Sequence, residues 1–151
     1  MAKAVTEKYE EMVLEVDFSD TQPAPVYARI CGMKGVTIKR TANVDTTEVP
    51  DCDDESLPNE VERDVRSLEV TVSATGVWAQ QSSGKLLDWF YSGTSIPARL
   101  GNLKAAAGDT EYEAGRMLVS DISNERSDGR GRVTASIELE FDGTPTRTAK
   151  A

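Results

Sequence analysis

Residues 45–74 read DTTEVPDCDDESLPNEVERDVRSLEVTVSA, and this stretch decides the fold. Its first part, 45–64, carries nine carboxylates (Asp45, Glu48, Asp51, Asp53, Asp54, Glu55, Glu60, Glu62, Asp64) against one base, Arg63. So many like charges in so few residues predict an extended, solvated acidic loop over 45–66. From Ser67 the pattern becomes strict alternation, with Leu68, Val70, Val72 and Ala74 on one side and Glu69, Thr71 and Ser73 on the other, which predicts a half-buried strand. The loop sums to −8, so of the net charge of −9 only −1 is left to the other 131 residues. Acidity is a local device in this chain.

Working outward, the same period of two recurs. Met12, Leu14, Val16 and Phe18 alternate with Val13, Glu15, Asp17 and Ser19. Near the other end, Val133, Ala135, Ile137, Leu139 and Phe141 alternate with Thr134, Ser136, Glu138, Glu140 and Asp142. Val26–Cys31 and Val36–Arg40 read as a hairpin about a turn holding Gly32 and Gly35. Thr21–Pro25 is a turn or arm, and 96–103 and 112–123 are further strands, with a turn at 105–109 between them. Only KLLDWFYSG changes period: Ser82 or Ser83 as cap, Leu86, Leu87, Trp89 and Phe90 mostly on one side and Gly93 as terminator predict one short helix plugging the core. The expectation is a mainly β domain over 1–151, an antiparallel sandwich or barrel with one flanking helix and the extended acidic loop. An N-terminal arm (1–11) and a patternless, extended or disordered C-terminal arm (144–151) complete it.

The composition excludes several chemistries. The chain has no histidine, which removes the commonest general base and zinc ligand, and it contains no phosphate-binding glycine loop and no CxxC. No catalytic residues and no cofactor are expected. Asp51, Asp53, Glu55 and Glu62 fall at positions 1, 3, 5 and 12 of a calcium-loop spacing. Position 6 is Ser56 instead of glycine, and Pro58 interrupts the stretch, so this is a weak metal candidate beside the reading of a partner-facing loop. Cys31 and Cys52 read as partly buried thiols, or as a disulfide within or between subunits formed in an oxidising medium. With no dense basic run, specific nucleic-acid binding is not expected. No segment approaches a membrane span, and the charged start MAKAVTEKYEEM has no secretory apolar core, so folding in a cytoplasm is expected.

The order of motifs resembles the tail tube (major tail) protein family of long-tailed bacteriophages. The matching positions are 43–47 leading into the loop, the strand 70–76, the helix end 89–93, the strand 115–122 and the final strand 133–143, so the likeness spans about 12–145. The resemblance implies a virion structural protein forming hexameric rings stacked into a hollow tube, with tape-measure protein and transiting DNA in the lumen and, in contractile tails, a sheath outside. It also implies that 45–66, Cys52 included, is an assembly loop reaching a neighbouring subunit. Charge suggests Arg126, Arg130 and Arg132 as its basic receptor. The polar strand faces Glu69, Thr71, Ser73 and Thr134, Ser136, Glu138, Glu140 are two candidate lumen walls. Alternatives are a tail terminator or completion protein, a secretion-machine tube subunit, or a calcium- or carbohydrate-binding β-sandwich.

Overall fold

The computed structural model describes residues 2–126, 129 and 131–151. A short 3-10 turn (Tyr9–Glu11) leads into β1 (Met12–Val16), followed by β2 (Ala28–Arg29), β3 (Met33–Val49) and β4 (Glu60–Val77). The helix α1 (Gln80–Ser92) comes next, then β5 (Ile96–Asn102), β6 (Thr110–Glu125), β7 (Thr134–Phe141) and β8 (Thr146–Ala149). The mainly β, antiparallel character and the one helix are as the sequence predicts. In place of two separate sheets, one hydrogen-bonded path runs β2-β1-β5-β6-β7-β4-β3, and β8 adds to β6.

That path must curl. β2 and β3 stand at its two ends, yet only Ile30, Cys31 and Gly32 separate them in the chain, a reach of about 14 Å at most. Seven strands laid flat would hold those ends about 29 Å apart. The bend wraps one core of Leu14, Val16, Val70, Val72, Ala74, Ile96, Ala98, Leu100, Met117, Ile137 and Leu139, sealed by Leu86 and Trp89 of α1. The seam stays open: a cleft of about 380 Å³ lined by Leu14, Ile30, Met33 and Val36 lies between β1–β2 and the start of β3.

The ladders correct the predicted hairpin. β2 pairs with β1 through Glu15↔Arg29, and β3 pairs with β4 over nearly its whole length. Gly32 and Gly76 explain why the chain can cross here. A Cβ on Gly76 would lie 2.0 Å from the Gly32 carbonyl oxygen, so the turn and β4 touch backbone to backbone. The C-terminal arm is likewise ordered: Thr146, Arg147, Thr148 and Ala149 pair with Ala114, Glu113, Tyr112 and Thr110. Two threonines in four residues suit an edge strand, although so short a run carries no visible period.

The helix begins at Ala79 with no side-chain cap, and Gly93 closes it in the left-handed region (φ 65°). Ser82, the proposed cap, is buried instead and donates to the Cys31 carbonyl oxygen at 2.8 Å. Leu86 and Trp89 face the core, whereas Leu87 and Phe90 sit partly outside. Trp89 satisfies its indole N–H on the Thr94 carbonyl oxygen and meets Phe18 edge-on. On the opposite side of β5, the Arg99 guanidinium stacks between Tyr27 (4.5 Å) and Tyr112 (4.1 Å) and donates to Glu15 (3.1 Å). This ties β1, β5, β6 and the segment before β2 together.

Candidate assembly surfaces

The acidic stretch is mostly strand, which corrects the loop assigned to 45–66. β3 runs on to Val49 and β4 begins at Glu60, leaving only 50–59 as loop. Charge density alone hid the β-branched residues Thr46, Thr47, Val49, Val61 and Val65, which favour a pleated ribbon. The result is a two-stranded arm. Every residue of β4 from Glu60 to Glu69 is exposed, including Leu68, which the alternation had put on the buried side. Burial begins only at Val70.

The tip is organised by its own carboxylates. Asp51 Oδ1 accepts from the backbone N–H of Asp53 (2.8 Å) and Asp54 (3.4 Å), and Asp54 Oδ1 accepts from the Ser56 hydroxyl (2.6 Å) and N–H (3.0 Å). The Ser56 hydroxyl first, then its N–H, hold the Asp54 carboxyl below its ordinary value. Glu62 stands on the stem opposite Thr47, away from Asp51, Asp53 and Glu55 at the tip. Among the described residues no three metal-ligating side chains come together.

Both cysteines are exposed, so neither behaves as a buried hydrophobe. Cys31 precedes β3 and Cys52 follows it, and the 17 residues between span about 55 Å as extended strand. A bond within one subunit is excluded by that distance, since bridged Cα atoms lie within about 7 Å.

The ends of the sheet carry opposite charges. The acidic tip lies beyond Val49 and Glu60. At the other end, Glu125, Thr134 and Val77 lie side by side across β6, β7 and β4. Arg126 and Arg132, both exposed, belong to the β6–β7 connection at that far end. Arg130 lies outside the described residues.

The two candidate walls prove to be one surface. Thr71 stands opposite Glu140, Ser73 opposite Glu138 and Thr75 opposite Ser136, while Asp121 and Ser123 of β6 meet Glu138 and Ser136 from the other side. With Glu69, Glu125 and Lys39 this polar face of β3-β4-β7-β6 carries five carboxylates and one lysine. Sequence reading missed the two edges that flank it. β3 pairs only with β4, and beyond Met117 β6 pairs only with β7, so 33–49 and 118–125 each present a free edge among the described residues. Edges are a property of pairing order, which local alternation does not encode.

The comparisons agree with this architecture. No curated protein matches the sequence. The fold is similar to a solved structure of the tail of an empty gene transfer agent particle, refined with C6 symmetry (TM-score 0.73, 14% identity, covering 95% of this chain and 100% of that one). It is also similar to a chain of the virion of the native gene transfer agent (0.68, 15%, 95% and 100%) and to the SPP1 tail tube (0.65, 14%, 96% and 80%). The family model described as phage tail tube protein matches residues 7–147, nearly the whole chain with its arm and both free edges, and the chain therefore belongs to the phage tail tube protein family, whose members are structural components of the virion.

Proposed function

We propose that this subunit closes into six-membered rings by pairing the β6 edge of one copy with the β3 edge of the next. The observation that carries the reading is the pair of unlike free edges on one four-stranded face. An unpaired edge is a template for another strand, and a heterologous contact that repeats with rotation closes into a ring. Because β6, β7, β4 and β3 alternate in direction, β3 of one copy meets β6 of the next antiparallel, which keeps the alternation unbroken. Six copies then present the Glu138–Glu140–Thr71–Ser73 face as one continuous inner wall. An acidic, hydroxyl-rich wall repels phosphates, so DNA passing through would slide without adhering. The role is structural and non-catalytic. Tape-measure protein and DNA would fill the lumen, and a sheath would lie outside in a contractile tail.

Rings stack through the arm. Opposite charge at the two ends of the sheet favours head-to-tail contact, the acidic tip of one subunit approaching Arg126 and Arg132 of a subunit in the adjacent ring. Such exposed charge pairs are screened by salt. Replacing Asp51, Asp53 and Asp54 by Asn and Glu55 by Gln retains the oxygen acceptors of the tip turn while removing four charges. That variant is expected to remain folded yet elongate more slowly than the wild type at low salt, with the gap narrowing above about 0.5 M salt as the screening length shrinks. Equal elongation at low salt, followed by light scattering and electron microscopy, would refute the tip contact.

A further inference from the structure

We infer that the arm is seated against a second copy of this chain by its apolar face, and that its acidic face is turned away. The inference rests on the assembly reading above and specifies which side of the arm does the work.

β3 has no extra residue between Gly35 and Val49, so its even-numbered residues share one face throughout. Val36 and Ile38 on that face pack against the core, and Arg40 pairs with Glu113 across the curled sheet, Nε to Oε2 at 3.3 Å. This ion pair marks where the body ends. Past it the core-facing side of the sheet simply continues, as Ala42, Val44, Thr46 and Glu48, with nothing among the described residues covering it. Directly opposite paired residues share a face, so their partners Leu68, Val65, Arg63 and Val61 join them. Val44 (47% exposed), Val61 (45%), Val65 (61%) and Leu68 (55%) thereby form one stripe with Ala42. The stripe is neutral, since Glu48 and Arg63 cancel.

The register shift creates this sorting. Asn43 pairs with Ser67 but Val44 with Val65, so Arg66 is an extra residue in β4. Paired without that shift, Val44 would face Arg66, and the alternation of β4 would carry Asp64, Glu62 and Glu60 round to the stripe and send Val65 and Val61 to the other side. With it, Asp45, Glu60, Glu62, Asp64 and Glu69 all fall on the opposite face, and Arg66 bonds Asp45 there at 3.1 Å.

Charge selects the occupant and the face together. Each copy carries −9, so a face bearing five carboxylates is repelled by another copy, whereas the neutral stripe is not. An exposed apolar stripe on a two-stranded ribbon is costly in water and is covered when copies of a tube-forming chain assemble.

The test uses the purified full chain, with tubes measured by sedimentation and negative-stain microscopy. A Val44→Ser, Val65→Ser, Leu68→Ser variant is expected to keep the wild-type circular dichroism and melting curve and lose tubes at least tenfold. An Asp45→Asn, Glu62→Gln, Asp64→Asn variant, altering the opposite face, should pellet as the wild type does. Deleting Arg66 leaves Val44 opposite Val65 and every pair beyond it on the same face, so both that deletion and Arg66→Ala should retain tubes. Wild-type tubes together with undiminished tubes from the serine variant, or equal loss from the opposite-face variant, would overturn the inference alone. A wild type that stays monomeric in every condition would overturn the assembly reading, and this inference with it.

Discussion

Asp17 anchors the turn that carries the chain from β1 to β2. Its Oδ1 accepts from the Ser19 N–H at 3.0 Å, and its Oδ2 accepts from Thr21 (2.7 Å) and Val26 (3.3 Å). Burial acts to raise this carboxyl, but the backbone donors of Thr21, Val26 and Ser19 outweigh it and hold the group below its ordinary value. Arg116 does the same for Asp20 in the same turn through a two-pronged contact at 3.1 and 2.9 Å. A depressed carboxyl stabilises the fold in full above about pH 4 and loses that contribution as pH falls through its folded value. Asp17→Asn, which sets an amide nitrogen against at least one of these N–H donors, should therefore lower the melting temperature at pH 7 and differ little from the wild type near pH 2. A constant difference down to pH 2 would show that the charge is not what matters. Gly76 is the other single position with a sharp expectation. A methyl there meets the Gly32 carbonyl oxygen and the Met33 and Lys34 backbone, none of which can rotate aside. Gly76→Ala should cost at least about 2 kcal/mol in denaturant unfolding.

At the scale of elements, the arm and the body are separable. No residue from Glu60 to Glu69 is buried, so the stem contributes nothing to the core. Replacing residues 46–63 by an Asn-Gly turn should leave the denaturant midpoint within about 0.5 kcal/mol of the wild type, as surface changes usually do, while tubes disappear. A cooperative loss of the whole fold would contradict that separation. The same division explains what could be read from the sequence. β7 was fully legible because Ala135, Ile137 and Leu139 are buried and their neighbours are not. β4 was legible from Val70 onward for the same reason. Its lower half was not, because period-two reading relies on one buried face, and neither face of the arm is buried in the subunit. The helix was visible through Leu86, Trp89 and Gly93, but its start was not, since Ser82 spends its hydroxyl on Cys31. The assembly surfaces were half legible. Their charges and strand faces stood in the sequence, whereas the merging of two walls into one, and the free edges beside it, depend on which strands pair.

For the whole molecule, two electrostatic effects run against each other. Copies carrying −9 repel, and salt relieves that repulsion, while the tip and the basic turn attract, and salt weakens that attraction. The wild type alone would blend the two, which is why the tip variant is compared with it at each salt concentration. The curled sheet supplies the frame for both. It keeps the core on its inner side, leaves the polar face of β3-β4-β7-β6 outside, and ends that face in two unlike edges. A helical reconstruction of the assembled tube, at a resolution that separates strands, tests this arrangement most directly. The account predicts sixfold rings in which residues 118–125 of one subunit lie beside β3 of the next, with Glu138 and Glu140 toward the lumen. Tubes in which those two edges remain unpaired, or in which Glu138 and Glu140 face outward, would contradict it.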